Sequence, residues 1–168
     1  MKNIVLIGMP GAGKSTVGVV LAKAMHMRFL DTDLSVQERM GECLQDTINR
    51  EGKEGFLKIE NEVLSTIHVE NTVIATGGSV VYGEDAMAAM RSGGVLVYLQ
   101  YSYPTIEARL TNLDVRGVAM GPWESLRDVY EDRIPRYEAA ADVTVACEGL
   151  EVDDIVWEIM ERTRPLLS

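Results

Sequence analysis

Residues 8–16 read GMPGAGKST and bring three glycines, a lysine and two hydroxyls into one short segment. Gly8, Gly13, Lys14 and Ser15 fit the pattern G-x-x-x-x-G-K-[ST], with an apolar run before it and a helical pattern after it. Glycines let the backbone wrap tightly so that N–H groups point inward at an anion, and the positive end of the following helix adds to the attraction. The segment therefore predicts a loop that binds a nucleoside triphosphate, with Lys14 at the β- and γ-phosphates and the Ser15 hydroxyl on Mg²⁺.

Two carboxylates follow the next apolar run, in FLDTD (29–33). Residues i and i+2 of an extended segment lie on one face, so Asp31 and Asp33 are expected to face the same cleft. One acid can hold Mg²⁺, usually through water, while the other orients and deprotonates an acceptor hydroxyl. The alternative is a surface turn or a helix cap by Asp33. Beside a phosphate loop, the pair favours catalysis.

Further along the chain, ATGGS (75–79) offers Gly77 and Gly78 for close approach of backbone to a ligand. The second half contributes Arg109, Arg116 and Arg133, and an acidic protein that handles phosphates needs such cations near them. Arg116 lies in NLDVRGVAMG (112–121), an expected mobile loop from which it can neutralise charge on the γ-phosphate. For each arginine, a solvated face is the alternative.

The whole chain limits the classes of protein to consider. Its 168 residues predict one domain, 1–168, and its 46% hydrophobic and 25% charged content is ordinary for a globular protein. Cys43 and Cys147 lack metal-type spacing, and the sequence shows neither signal-peptide layout nor a membrane-length apolar run, so we expect a cytoplasmic protein. The net charge of −10 argues against nucleic-acid and membrane partners. A small-molecule partner and a monomer are expected.

Strand-like runs alternate with helical patterns, which predicts an α/β fold: a three-layer α/β/α sandwich around a five-stranded parallel sheet. In such sheets ligands lie beyond the carboxyl ends of the strands, where every motif above falls. The predicted strands cover 3–7, 28–31, 72–76, 94–99 and 142–146, and the predicted helices cover 14–26, 34–49, 53–68, 83–91, 103–112, 122–139 and 152–164.

Together these residues resemble the shikimate kinase family, small P-loop kinases of the nucleoside monophosphate kinase type, over nearly the whole chain. The family's F-x-D-x-D and R-x-P-x-Y motifs are both present, and its GGG loop and G-x-x-F-R-x-x-E segment are approximated. The F-x-D-x-D motif corresponds to Phe29, Asp31 and Asp33, and the R-x-P-x-Y motif to Arg133, Pro135 and Tyr137. The GGG loop is approximated by Gly77-Gly78-Ser79, and the G-x-x-F-R-x-x-E segment by Gly55-Phe56-Leu57-Lys58-Ile59-Glu60.

The resemblance implies a P-loop NTPase-type fold with a mobile lid at about 112–122, and phosphorylation of a shikimate hydroxyl with ATP and Mg²⁺. By the same resemblance, Asp33 binds the diol and acts as base, Lys14 and Arg116 stabilise the transferring group, and Arg133 pairs with the substrate carboxylate. Gly78 contributes a backbone donor, and Ser15 and Asp31 place Mg²⁺. The implied nucleotide-binding residues are Gly11, Ala12, Gly13, Lys14, Ser15, Thr16, Arg109 and Arg116.

The chain departs from the family on the carboxylate side of the expected substrate site. Leu57 stands where the family has an arginine, and loss of a hydrogen bond to a charged group costs roughly 1.5–3 kcal/mol. Glu60, three residues on, loses the partner that this arginine would give it and is left with Arg133 as an alternative. Ser79 replaces the third glycine of the loop, and Gly117 replaces the lid proline.

Several functions are compatible with these residues. The first is shikimate kinase; the second is a related kinase for a different small polyol or hydroxy acid, for which Leu57 would be a specificity element. A nucleotide-binding regulatory module without catalysis would not need the full set of Lys14, Ser15, Asp31, Asp33 and Arg116. Nucleoside monophosphate kinase activity fits the D-T-D and R-x-P-x-Y elements less well.

Overall fold

A computed structural model describes residues 1–112 and 117–168 of the chain. Five strands form one sheet in the order β2-β3-β1-β4-β5, and every neighbouring pair is parallel. The predicted five-stranded parallel sheet is therefore confirmed. The strands are β1 (Asn3–Ile7), β2 (Arg28–Asp31), β3 (Thr72–Ala75), β4 (Gly94–Gln100) and β5 (Val143–Ala146).

Helices connect successive strands, and the strand order determines which face each one covers. The step from β1 to β2 runs in one direction across the sheet, whereas the steps to β3, β4 and β5 run in the other. Right-handed crossovers then put the first helix on one face and the second to sixth on the other. The seventh returns to pack against the first. The helices are α1 (Lys14–Ala24), α2 (Thr32–Met40), α3 (Leu44–Ser65), α4 (Glu84–Gly93), α5 (Tyr103–Asn112), α6 (Leu126–Ala140) and α7 (Val152–Thr163), with 3-10 turns at Val80–Tyr82 and Arg164–Leu166.

The helices between β2 and β3 differ from the prediction. One expected helix, 34–49, is divided at Gly41, whose φ of +69° ends α2 in the left-handed region. Two expected helices are instead continuous as α3, which bends at Gly52, where φ is +73° and ψ is 175°. Glycine tolerates both conformations without strain, so the breaks fall where the residue type permits them.

The central strands β1, β3 and β4 are buried and form the middle of the core. All five residues of β1 and all four of β3 are buried. Such fully buried strands are typical of parallel sheets covered by helices. The register sets Asp31 beside Ala75, and Ala75 beside Leu6, so the carboxyl ends of three strands are level. Loops that leave these ends must meet in one place.

In the described part of the chain, no helix combines the length and the apolar composition needed to cross a bilayer.

Asn3 ties β1 to the chain entering β3, at the amino edge of the sheet. Its Nδ2 donates to the Val69 carbonyl at 2.7 Å, and its Oδ1 accepts from the Thr72 N–H at 3.0 Å. We predict that Asn3→Ala lowers the free energy of unfolding by roughly 2–4 kcal/mol, because the buried Thr72 N–H and the half-buried Val69 carbonyl lose their partners. Urea unfolding measures the effect, with Asn3→Asp as the matched control that keeps the acceptor. If Asn3→Ala and Asn3→Asp lower the free energy of unfolding equally, then Asn3 does not stabilise the fold through both hydrogen bonds.

Candidate active site

The phosphate loop, residues 8–16, leads from the end of β1 into α1. Gly8, Gly11 and Gly13 have φ of +147°, +82° and +78°, a region that side chains rarely adopt. Gly13 is the N-cap of α1, so the unpaired N–H groups of the first turn begin at the cleft. The loop has the backbone geometry expected of an anion cradle.

Lys14 is fixed by the loop that it follows. Its buried ammonium donates to the carbonyl oxygens of Gly8 at 2.7 Å and Met9 at 2.8 Å. Burial lowers the pKa of Lys14 to about 8, and the nearby Asp33 carboxylate opposes this shift. The ammonium is therefore largely charged at neutral pH, although it is held out of water.

Asp31 joins the phosphate loop to the second strand. It caps α2, where its Oδ1 accepts from the backbone N–H of Asp33 at 3.0 Å. Its Oδ2 accepts from the Ser15 hydroxyl at 2.8 Å. The expected extended arrangement is wrong in one respect, because Asp33 lies in the first turn of α2. The helix turn, and not strand alternation, brings Asp33 to the cleft.

The carboxyl group of Asp33 is mostly buried and lines the cleft together with Lys14. Burial raises the pKa of Asp33 to about 6; the Asp31 carboxylate adds to the rise and the Lys14 ammonium opposes it. A carboxylate with raised basicity next to a cation is suited to accept a proton from a bound hydroxyl.

Gly77 and Gly78 follow β3 and leave no room for side chains. A Cβ on Gly77 would lie 2.6 Å from Asp33 Oδ1 and 2.8 Å from Glu60 Oε2. A Cβ on Gly78 would lie 2.8 Å from Arg133 Nη1. The two glycines thus allow two acids and an arginine to approach the same short stretch of backbone.

Glu60 is buried on α3 with 2% of its surface exposed. Its Oε1 accepts from the Ser79 hydroxyl at 2.6 Å, whereas its Oε2 has no hydrogen-bond partner among the described residues. The expected alternative pairing with Arg133 is not formed, since no salt bridge joins the two side chains in the described structure. Burial raises the pKa of Glu60 to about 7; the Ser79 hydrogen bond opposes this rise.

Arg133 lies on α6 and is only 1% exposed. Its Nη2 donates to the Ala119 carbonyl at 3.0 Å, while its Nε lacks a partner among the described residues. Its guanidinium carbon lies 5.7 Å from the centre of the Tyr82 ring. Tyr137, one turn on, donates to the Gly78 carbonyl and so attaches α6 to the glycine loop. A buried guanidinium with an unused donor can bind an anionic ligand.

Leu57 does not line the cleft with these residues. It is half-buried and packs against the hydrophobic core. One turn earlier, Lys53 forms an ion pair with Glu124 at 2.5 Å, and its ammonium lies 5.8 Å from the centre of the Tyr82 ring. The position of the expected arginine is therefore apolar, and the nearest lysine on its helix face is already paired.

Arg109 reaches the phosphate loop from α5. Its Nη1 donates to the Gly11 carbonyl at 3.0 Å, and its guanidinium stacks 4.2 Å from the centre of the Tyr101 ring. Arg116 and the rest of 113–116 lie outside the described residues, so the expected swing of Arg116 onto the γ-phosphate stays a prediction. Beyond that segment, the Gly117 N–H donates to Gln45 Oε1 at 2.8 Å.

These residues surround one cleft of about 570 Å³ at the carboxyl edge of the sheet. Its volume suits a small molecule with a phosphate-bearing partner. One end is the phosphate loop, and the other is closed by α3, α6 and the chain after 117. The lining residues that matter here are Gly11, Gly13, Lys14, Ser15, Thr16, Asp33, Glu60, Gly77, Gly78, Ser79, Arg109, Ala119 and Arg133.

Some parts of the site were not assigned from the sequence. Ser79 appeared there only as a departure from a glycine loop, yet it holds Glu60. Tyr137 was visible in R-x-P-x-Y, but its bond to Gly78 depends on tertiary contact. The Ala119 carbonyl that binds Arg133 has no signal in residue type, because any residue supplies a carbonyl.

The buried carboxyl group of Glu60 allows a prediction of how the free energy of unfolding depends on pH, which can be tested without an activity assay. Its pKa is raised from 4.5 to about 7, so between these values the folded chain holds a proton that the unfolded chain has lost. The stability of the wild type relative to Glu60→Gln should therefore fall as pH rises from about 4.5 to about 7, by roughly 3 kcal/mol in total. Urea unfolding of both proteins across this range measures the difference. A difference that is constant or grows with pH would contradict the raised pKa.

Comparison with known proteins agrees with this geometry. The family model described as shikimate kinase matches residues 10–164. A shikimate kinase of Pseudomonas paraeruginosa is 37% identical over 99% of this chain and 98% of its own, and one of Vibrio parahaemolyticus is 41% identical over 95% of each.

A solved structure has the same fold throughout. The shikimate kinase from Acinetobacter baumannii in complex with shikimate superimposes with a TM-score of 0.84 and 28% identity, over 99% of this chain and 94% of its own. Because the family model and both relatives cover nearly all of the sequence, the match includes the phosphate loop, the acids and the arginine of α6. The chain belongs to the shikimate kinase family.

Proposed function

We propose that this protein transfers the γ-phosphoryl group of ATP to a hydroxyl of shikimate. One observation carries the proposal: a phosphate loop with Lys14, a carboxyl group suited to act as base in Asp33, and a buried guanidinium in Arg133 line a single cleft. Such a cleft has places for a phosphoryl donor, a hydroxyl and a carboxylate, and shikimate contains both of the last two.

The nucleotide would lie along the phosphate loop. The N–H groups of Gly11, Ala12, Gly13 and Thr16 would contact its phosphates, with the positive end of α1 behind them. Arg109 is tied to Gly11 and backed by the Tyr101 ring, so one face of its guanidinium would be left for the adenine.

Ser15 and Asp31 would hold Mg²⁺. Their oxygens already lie 2.8 Å apart, and a hydroxyl with one carboxylate, completed by phosphate oxygens and water, fits how this ion is usually bound. In the described part of the chain, no group of three acidic, histidine or cysteine side chains could bind a metal without such help. The bound ion would neutralise negative charge on the phosphates.

In the transfer step, Asp33 orients the acceptor hydroxyl and takes its proton while the oxygen forms a bond to the γ-phosphorus. The bond between that phosphorus and the bridging oxygen breaks, and ADP leaves. Lys14 stabilises charge on the phosphoryl oxygens, and we assign the same task to Arg116. Burial of Lys14 and Asp33 makes these interactions stronger than they would be in water.

The carboxylate of the acceptor would bind Arg133, whose Nε is unused among the described residues. With Leu57 apolar and outside the cleft lining, this guanidinium would act alone. The same observation favours a second candidate, a kinase for a different small polyol or hydroxy acid that needs one cation or none.

We further propose that the chain works as a monomer in the cytoplasm. Every described side chain that the proposal uses comes from one chain, so a second copy is not required. Cys43 and Cys147 are both free thiols, as a reducing compartment would keep them.

Asp33→Asn tests the proposed base. We expect kcat for shikimate-dependent ADP release to fall by roughly 10²–10⁴-fold, because an amide cannot accept the hydroxyl proton. Nucleotide affinity, measured by calorimetry on the same preparation, should be retained and serves as the control for folding. Undiminished turnover by the variant would show that Asp33 is not the base.

Leu57→Arg tests whether a long side chain from this position can reach the carboxylate of the acceptor, since Leu57 itself does not line the cleft. We expect KM for shikimate to fall by roughly 10- to 100-fold if the guanidinium gains a charge-assisted hydrogen bond to that carboxylate. Leu57→Met is the matched control for packing, and an acceptor without a carboxylate is the control for charge. If KM for shikimate is unchanged in an equally stable Leu57→Arg protein, a side chain from residue 57 does not reach the carboxylate.

A further inference from the structure

The carboxyl group of Glu60 is buried in the cleft with one oxygen bound and one unused. Oε1 accepts from Ser79, while Oε2 has no partner among the described residues although the side chain is 2% exposed. A buried polar atom without a partner is rare in folded proteins, and at a binding site it marks where a ligand atom belongs. Glu60 is one of the residues that line the cleft described above.

We propose that Glu60 binds the acceptor in its protonated form and donates a hydrogen bond from Oε2 to an oxygen of the acceptor, and that Ser79 is its positioning residue. The inference deepens the proposed phosphoryl transfer and rests on it, since it assigns a second contact to the same acceptor. It also specifies the acceptor's chemistry: a hydroxyl next to the one that reacts.

Protonation follows from the surroundings of Glu60. The charged groups that face it are Asp33 on α2, Lys14 on α1 and Arg133 on α6. Neither cation forms a salt bridge with it in the described structure, and Asp33 repels its anion. An ionised carboxylate without a close cation is costly to bury, and the group avoids this cost by keeping its proton. Burial accordingly raises the pKa of Glu60 to about 7.

Leu57 removes the simplest way to keep Glu60 ionised. The two residues are three apart on α3 and so are neighbours on one helix face. A cation at position 57 would be within reach of the carboxyl group, whereas leucine offers only an apolar surface that packs on the core. The neutral hydroxyl of Ser79 is the hydrogen-bond partner that remains.

The position of Oε2 defines what the donated bond can reach. Glu60 Oε2 and Asp33 Oδ1 lie 2.8 Å and 2.6 Å from the point that a Cβ of Gly77 would occupy, so the two acids approach the same side of Gly77. Ser79 holds Oε1, which leaves Oε2 as the oxygen of Glu60 that faces Gly77. Asp33 can accept from one hydroxyl of a vicinal diol while Glu60 donates to the other. The pair would reject an acceptor that lacks the second oxygen, because the donor would then be left unpaired.

The test is the pH dependence of KM for shikimate, from about pH 6 to about pH 9, in the wild type and three variants. In the wild type, KM should rise about tenfold per pH unit above the pKa of Glu60, as the donor is lost and a second anion forms beside Asp33. Glu60→Gln should show no such alkaline rise, because an amide donates at every pH. Glu60→Ala should have a raised KM throughout the range.

Ser79→Ala separates positioning from charge. Its hydrogen bond lowers the pKa of Glu60, so removal should move the alkaline rise of KM to higher pH and should also lower kcat as the side chain loses its fixed orientation. A purely structural role for Ser79 would leave the pH profile in place. KM for ATP, measured at the same pH values, is the control for effects on the nucleotide.

The inference is overturned if Glu60→Gln shows the same alkaline rise as the wild type. A carboxyl titration by ¹³C NMR of glutamate-labelled protein without acceptor gives an independent result, with the Glu60 resonance assigned by its absence in Glu60→Gln. Titration near 7 supports the proposal, and titration near the ordinary value of 4.5 overturns it. If no acceptor drives ADP release at all, the proposed function fails, and the NMR titration still decides the protonation state.

Discussion

Four ionisable side chains, three of them buried and one, Asp33, half-buried, lie together at the carboxyl edge of one parallel sheet, and their burial determines much of the structure around them. Lys14, Asp33, Glu60 and Arg133 come from four different helices and line one cleft. Each must be compensated where it lies, because an unpaired buried charge is costly. Carbonyl oxygens of the phosphate loop accept hydrogen bonds from Lys14, and the carbonyl oxygen of Ala119 accepts one from Arg133. Glycines rather than side chains separate the acids, since there is no space for a Cβ.

The two halves of the cleft differ in how many of their polar side-chain atoms have hydrogen-bond partners within the protein. On the phosphate side, Lys14 and Asp31 have two or more protein partners each, so this half is preorganised for its ligand. On the acceptor side, Glu60 Oε2 and Arg133 Nε are unused among the described residues. A ligand that supplies a hydroxyl and an acid group would complete that half, so selectivity for the acceptor should come from these two atoms. The apolar Leu57 leaves the acid-binding task to one guanidinium, which makes the hydroxyl contacts relatively more important.

Much of this arrangement could be predicted from the sequence because the motifs are local. The phosphate loop, the strand before it and the helix after it are encoded within residues 3–24, and alternating strands and helices indicate the parallel sheet. Local patterns were less informative where tertiary contact decides the outcome. The partner of Glu60 is one such case, because Ser79 is close to it only after β3 is placed in the sheet. The break of α2 at Gly41, the bend of α3 at Gly52 and the start of α2 at its cap Asp31 are instead local, but helical periodicity alone does not locate them. Sequence spacing suggested Arg133 as the partner of Glu60, but no salt bridge joins these two side chains in the described structure.

The account's central claim is that one cleft joins ATP to a hydroxylated acid held by a single guanidinium. The most direct measurement is coupled ADP release with ATP and Mg²⁺, comparing kcat/KM for shikimate with that for a panel of other hydroxylated acids and uncharged polyols. The account predicts strong shikimate-dependent release, with kcat/KM above that of every polyol without a carboxylate. Release driven by an uncharged polyol, with no response to shikimate, would contradict it and would make Leu57 the mark of a different substrate.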